Sequence, residues 1–325
     1  MAGSAFVTGG SGFIGGRLIE RLRREGTRVR ALARSDAAAR RVAELGAEPV
    51  RGDLDDREAM SSGAEGGERA FHLAAQLGDW GPWADFERGN VDGTRNALAA
   101  CAEAGVRRFV HCGTEAALMA GEPLVQVDES APLRPDSRAP YPATKARAEQ
   151  AVRDANREGF ETVVVRPRFV WGAGDTTLLP EMVDTVRKGR FAWVGGGRNI
   201  TDTTHVDNAV EGLMLAAERG RPGEAYFVTD GEPVVFREFV TAMLETQGVE
   251  PPDHSLPAWT AGPMARFAEA AWKALPLRGA PPMTTFRAWI LTQECTIDIS
   301  KARDELGYAP LVSHEQGLAE MKAAS

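Results

Sequence analysis

The stretch that most restricts the fold is Gly9-Gly10-Ser11-Gly12-Phe13-Ile14-Gly15, which follows directly on the apolar run Ala5-Phe6-Val7-Thr8. Gly9, Gly12 and Gly15 form a GxxGxxG spacing at a strand-to-helix junction. Glycine allows the tight turn, the approach of backbone amides to a pyrophosphate and the close seat of the helix on the strand. Unpaired N–H groups at the start of that helix are donors to an anion. In this setting the loop reads as a dinucleotide cradle, with Ser11, Phe13 and Ile14 beside the ligand.

Downstream, short apolar runs alternate with helical patterns. Strands are expected at Val29 to Ala33, Pro49 to Arg51, Ala70 to Leu73, Arg108 to Cys112 and Thr162 to Arg166. Helices are expected at Phe13 to Glu25, Ala37 to Leu45, Arg57 to Ser61, Asn90 to Ala104 and Thr144 to Arg157. This alternation predicts an α/β fold, a Rossmann-type doubly wound parallel sheet covered on both faces. Cys101 falls on the sheet-facing side of its helix and reads as core. From about Trp171 the pattern loosens, so residues 1–170 are assigned to the main domain and residues 171–325 mainly to a smaller C-terminal substrate-binding lobe, with some segments returning to the main domain. There the spacing predicts helices at Leu179 to Lys188, Val206 to Glu218, Phe236 to Thr246 and Ala265 to Leu275. The Pro- and Trp-rich chain between Gly248 and Pro282 is expected to form a mobile cap.

At the end of the second strand, the acidic residue that usually meets an adenosine ribose is replaced by Arg34-Ser35. An arginine pairs bidentately with a 2′-phosphate, whereas an aspartate repels it. NADP(H) is therefore favoured over NAD(H), and Asp36 keeps the second choice open. Asp53 and Leu54 after the third strand are candidates for the adenine, although Asp53 is equally suited to cap the next helix. Ala74 and Ala75 after the fourth strand leave room for the cofactor to pass. Trp80 and Trp83 read either as substrate-facing or as a packed surface loop.

Tyr141 and Lys145 stand one helical turn apart, on one side of a helix. An ammonium near a phenol favours the phenolate, so the pair suits proton exchange with a carbonyl or alcohol oxygen while hydride moves from or to a nicotinamide. Thr114, at the end of the strand Arg108 to Cys112, is placed to orient the substrate oxygen through its hydroxyl, or simply to cap a turn.

Taken together, these motifs resemble the extended short-chain dehydrogenases/reductases, close to the 3β-hydroxysteroid dehydrogenase and NAD-dependent epimerase/dehydratase groups. The resemblance rests on Gly9 to Gly15, Asn90-Val91-Asp92-Gly93-Thr94, Tyr141 to Lys145, Arg166-Pro167 with Trp171 to Asp175, and Leu306 to Pro310. It implies that Tyr141 is the acid/base, that Lys145 binds the nicotinamide ribose and tunes Tyr141, and that Thr114 replaces a commoner serine. Asn90 would support a water or backbone network, and Pro167 would lie beside the nicotinamide. Homodimerisation through helices that include the tyrosine–lysine segment is also implied. Similar bacterial proteins are assigned to 2-alkyl-3-oxoalkanoate reduction.

With 38 basic and 46 acidic residues the formal net charge is −8, which gives no general attraction for nucleic acid. The three cysteines lack disulfide or zinc spacing, and no metal is expected. His205 and Asp207 are read as structural or as supporting the cofactor. The N-terminus reads as a first strand instead of a signal peptide, so the cytoplasm is the expected location. Phe169, Trp171, Phe191, Trp193, Trp259, Phe267 and Trp272 supply aromatic surface, some of it to enclose an apolar substrate: steroid-like, terpenoid or a 3-oxo/3-hydroxyacyl compound. The competing readings are a sugar-nucleotide epimerase or dehydratase, for which the paired acids are missing, and a noncatalytic NADP(H) sensor. The segment 258–277 also allows contact with a membrane surface, a soluble cap being the simpler reading.

Overall fold

The computed structural model describes residues 3–275 and 277–325. In the first half lie the strands β1 (Ser4–Thr8), β2 (Arg28–Ala33), β3 (Glu48–Arg51), β4 (Arg69–His72), β5 (Arg108–Cys112), β6 (Leu124–Val127) and β7 (Glu161–Pro167). The helices among them are α1 (Phe13–Arg24), α2 (Asp36–Glu44), α3 (Arg57–Ala64), α4 (Trp83–Phe86), α5 (Gly93–Glu103) and α6 (Pro140–Asp154). The second half has shorter strands: β8 (Val170–Trp171), β9 (Trp193–Val194), β10 (Ile200–Thr201), β11 (Thr204–His205), β12 (Ala225–Val228), β13 (Val234–Val235), β14 (Ser255–Leu256) and β15 (Cys295–Ile297). Its helices are α7 (Leu178–Arg187), α8 (Val206–Arg219), α9 (Phe236–Glu245), α10 (Ala258–Ala274), α11 (Thr285–Thr292) and α12 (His314–Ala323).

Seven strands pair in the order β12-β7-β5-β4-β1-β2-β3, every pair parallel. The order reverses at the β1–β4 junction, and in such sheets ligands bind beyond the strand C-termini at that point. The strands can run apolar without alternation because helices cover both faces. Leu18, Ile19 and Leu22 of α1 join Leu213, Met214 and Ala217 of α8 in the core on one face. Met60, Leu98, Cys101 and Val152, from α3, α5 and α6, fill the other.

A second sheet, β13-β10-β15-β6, stitches the halves together, since β6 precedes α6 and β15 comes from the last fifth of the chain. Conversely, β12 of the second half is an edge strand of the main sheet. Several expected boundaries move, among them the start of α6, expected at Thr144 and found at Pro140. Asn90 lies in a π-helical turn, Glu87–Asp92, and the regular helix begins only at Gly93. The helix expected from Ala265 starts at Ala258 and runs through Pro263, because the small residues Ala261, Ala265 and Ala268 form a buried seam against Met283, Ala288 and Val194. Among the described residues no helix is long and apolar enough to cross a membrane.

Candidate functional site

The glycine turn is fixed by contacts that no side chain tolerates. Gly9 has φ +74°, and a Cβ there would lie 2.6 Å from the amide nitrogen of Ala74. A Cβ on Gly15 would stand 2.2 Å from the Gly9 carbonyl oxygen. The loop is thus pressed between β4 and α1, next to Ala74 and Ala75. Gly12 is the N-cap of α1 and no side chain caps it, so the amides of the first turn, at Phe13, Ile14 and Gly15, stay available to an anion. Ser11 and Gly12 are exposed beside them. A cradle without side chains at an uncapped helix start fits a dinucleotide pyrophosphate.

At the adenosine end, Arg34 and Ser35 are exposed, and the Ser35 hydroxyl accepts the Ala38 amide at 3.2 Å as N-cap of α2. Asp36 is engaged by Arg51 at 2.9 Å. Arg51 sits opposite Ala33 in the β2–β3 register, and Ala33 is one residue before the exposed Arg34 in the chain. Asp53 does not cap α3. Asp56 does, accepting from Ala59 at 2.9 Å, while Asp53 accepts from Asp55. Leu54 packs against the start of α5 at Gly93.

Beyond β5 the chain narrows at Gly113, where a Cβ would meet Val164 at 2.8 Å, and then presents Thr114. The Thr114 hydroxyl accepts the Ala116 amide at 3.2 Å and donates to Glu115 Oε2 at 2.8 Å. Glu115 is buried, paired with the buried Arg168, whose Nε donates to Thr201 Oγ1 at 2.9 Å. A chain of buried polar groups so links the end of β5 to the second sheet.

Pro140 opens α6, as proline suits the first helical position. Tyr141 in its first turn is half-buried, its ring 5.7 Å from that of Phe286 on α11. Burial first, then the Glu115 carboxylate and Cys112, push its phenol above the usual range, against a hydrogen bond with Thr114. Lys145 is buried, and its Nζ donates to the Cys112 carbonyl at 2.9 Å with His111 Nε2 at 3.5 Å. Burial pulls the ammonium below its ordinary value. No hydrogen bond joins Lys145 to Tyr141 among the described residues, so in this structure the lysine ties α6 to the end of β5. His72 stacks on His111 with ring centroids 5.4 Å apart, and burial, then the Lys145 charge, push its pKa down to about 3.

Below the pair, Glu149 and Arg166 form a fully buried bidentate ion pair, with Arg166 over the Phe227 ring at 4.9 Å. Arg166, read from sequence with Pro167 as part of the nicotinamide-side segment, thus anchors α6 from beneath, and Pro167 is buried at the end of β7. Asn90 braces the helix from the side. Its Oδ1 accepts the Gln76 amide at 2.7 Å and its Nδ2 donates to Thr144 at 3.0 Å, joining the loop after β4 to α6.

The aromatic residues divide differently from the expectation. Trp171 and Trp193 are buried core, packed edge-on with Phe239 and Phe191. Trp259 and Phe267 point to solvent and enclose nothing. Trp80 lies under Lys273 of α10, 5.9 Å from its ammonium, and Trp83 is exposed. The apolar wall beside Tyr141 is Phe286 with Trp289, Ile290, Ala116 and Met119. Sequence reading missed α11, although Thr284 just before its apolar run is a readable N-cap and accepts the Arg287 amide at 3.1 Å.

His205, Asp207 and Glu320 bring three ligand-type atoms within 4.8 Å of one another. His205 Nδ1 accepts the Asp207 amide at 3.3 Å, which caps α8 and leaves Nε2 toward Glu320 Oε2 at 3.9 Å. The ring thus acts as a helix cap at this junction.

A doubly wound sheet with a glycine turn after its first strand and a tyrosine–lysine helix tied to the end of β5 belongs to one class of enzyme, the extended short-chain dehydrogenases/reductases, which act on CH–OH/C=O groups with a nicotinamide cofactor. Within that class the chain is a member of the 3-beta hydroxysteroid dehydrogenase/isomerase family, which it matches over residues 6–258. It is 49% identical over 319 residues to a 4-hydroxy-2-methyl-3-oxo-4-farnesyl-3,4-dihydroquinoline-1-oxide ketoreductase of Stigmatella aurantiaca, covering 98% of this chain and 96% of that one. It is 39% identical to a 2-alkyl-3-oxoalkanoate reductase of Stenotrophomonas maltophilia (strain K279a), covering 98% of both. Among solved structures, that of gox2253 superposes with a TM-score of 0.80 at 29% identity, over 99% of this chain and 97% of the other. MoeE5 in complex with UDP-glucose and NAD, at 24% identity and TM-score 0.74 over 99% and 98%, shares the fold.

Proposed function

We propose that this enzyme reduces a ketone on a largely apolar molecule to a secondary alcohol, with NADPH as the preferred reductant and Tyr141 as the proton donor. The observation that carries the reading is the placement of the Tyr141 phenol, held protonated by burial and Glu115, between the Thr114 hydroxyl and the wall built on Phe286. A nicotinamide bound in the glycine cradle would supply the hydride for the carbonyl carbon. Tyr141 gives its phenolic proton to the carbonyl oxygen as that carbon becomes tetrahedral. Thr114, whose hydroxyl reaches both Glu115 and the Tyr141 phenol, orients Tyr141 or the product hydroxyl. Lys145, one turn along the same face, offsets the phenolate left behind and serves the nicotinamide ribose. Glu115, tied to Arg168 and Thr114, is not free to act as the extra acid of a dehydratase.

The preference for NADPH is supported by the exposed Arg34 at the end of β2 and by Arg51, which already holds the Asp36 carboxylate and offers a second guanidinium for a 2′-phosphate. The relatives named for a farnesylated quinoline oxide and for 2-alkyl-3-oxoalkanoates agree with an apolar 3-oxo substrate. Assembly as a homodimer is supported by the groove along α5 and α6, lined by Leu98, Ala102, Ala146 and Gln150; light scattering is the check. The function test is a panel of long-chain β-keto acids, cyclic terpenoid ketones and 3-oxosteroids, each assayed for loss of reduced nicotinamide absorbance with NADPH and with NADH. Turnover of at least one apolar ketone, faster with NADPH, is expected. Turnover confined to sugar nucleotides, or none on any apolar ketone, overturns the reading.

A further inference from the structure

We infer that the outward face of α10 docks on an anionic lipid surface. Helix α10 is amphipathic in an inverted sense. Its inner seam is alanine, Ala261, Ala265 and Ala268, while its largest side chains face water: Trp259 is 77% exposed and Phe267 79%. Met264, Leu275 and Leu277 extend the same exposed apolar surface. Isolated exposed apolar residues need no explanation, but a contiguous aromatic patch marks a contact surface.

Charge decides what kind of surface. Arg266 and Lys273 run along one flank of the stripe on the helical wheel, and the exposed Arg278 follows beyond its end. The one acid of the helix, Glu269, is turned inward, where it accepts the Thr285 amide at 2.6 Å and the Thr285 hydroxyl at 3.0 Å. On a chain of net charge −8, the exposed charges of this helix are thus basic. That arrangement suits a helix lying in the headgroup region of an anionic bilayer, with aromatic side chains in the acyl boundary and basic ones at the phosphates. Pairing of two copies across a two-fold axis is less well served, because it matches basic flank to basic flank with no acid on the helix face to meet them.

The patch also lies where docking is useful. Its underside packs on α11, and α11 carries Phe286 against Tyr141. Lipid contact at α10 therefore sets the cap of the cleft on the phase into which an apolar ketone partitions. This last step rests on the proposed apolar substrate; the docking itself does not.

The test is sedimentation of the full chain with vesicles of phosphatidylcholine alone and of phosphatidylcholine mixed with phosphatidylglycerol. Recovery with the mixed vesicles, reversed by salt, is expected. The double substitution Trp259→Ser/Phe267→Ser should weaken recovery by more than about tenfold. Arg266→Glu should weaken it by about tenfold. Retained dinucleotide binding shows that each variant is folded. No recovery with either vesicle overturns the inference, as does recovery untouched by the double substitution. Self-association of the wild type that the double variant loses, without vesicle binding, assigns the patch to a second copy instead. No substrate enters this experiment, so its failure is separate from failure of the functional reading.

Discussion

The main sheet and the α10–α11 cap bury themselves in opposite ways. Strands β1, β4, β5 and β7 run almost wholly buried, and the glycine turn at their ends admits no side chain at positions 9 and 15. The cap rests on an alanine seam and strands of two residues, β9 and β14, and leaves its largest aromatics in water. A densely packed region opens only with much of the global unfolding free energy, whereas a sparsely packed one opens locally at lower cost. The contrast teaches where each task sits. The tyrosine–lysine helix and the glycine turn are held by the sheet, and the apolar wall beside Tyr141 is held by the more sparsely packed part.

Substitutions on either side should separate the two regions. The largest effect belongs to the sheet. Gly15→Ala forces a Cβ into the Gly9 carbonyl, and should cost about 3 kcal/mol in urea unfolding while removing measurable dinucleotide binding by calorimetry. Retained tight binding would show that the turn is less constrained than its contacts.

The next lies at the seam between the regions. Burial first, opposed mainly by the Ile297 amide and Arg168, raises the Asp202 carboxyl to about 6. Its folded value exceeds its unfolded one, so the native state holds this proton more tightly. The stability it contributes is complete below about pH 4 and is lost as pH rises through about 6. Asp202→Asn should therefore gain about 2 to 3 kcal/mol on the wild type between pH 4 and pH 7. Parallel stability curves for the two proteins would remove Asp202 from the account.

Smaller effects follow from the cap and the adenosine end. Phe286→Ala should lower kcat/KM for an apolar ketone by about 30-fold, mainly through KM, and leave dinucleotide affinity unchanged. A loss of dinucleotide affinity would mean that α11 supports the sheet-side site. Arg34→Ala should reduce the preference for NADPH over NADH by about tenfold with little change in kcat. An unaltered preference would pass the 2′-phosphate to Arg51.

What was legible in the sequence follows the same division. Each strand from β1 to β5, and β7, was readable because a short stretch with apolar residues is bounded by glycine or polar turns and followed by a helical pattern. The glycine spacing and the Tyr141–Lys145 interval were local patterns and could be read directly. Strands β8, β10, β11, β13 and β14 have two residues each and carry no periodicity. Helix α10 was placed seven residues late because Gly262 and Pro263 break the local signal while the alanine seam sustains the helix. The partners that fix the site were illegible for another reason. Glu149 with Arg166, Glu115 with Arg168 and Asn90 with Thr144 are brought together only by the fold. Nothing local marks Glu115 as the acceptor of the Thr114 hydroxyl.

The central claim is that Tyr141 supplies the proton from a site otherwise complete without it. It is tested most directly by single-turnover reduction of an accepted ketone by Tyr141→Phe preloaded with NADPH. The variant should bind NADPH as the wild type does and reduce the ketone about 10²- to 10⁴-fold more slowly. A reduction rate within a few-fold of wild type, with NADPH bound, would contradict the account.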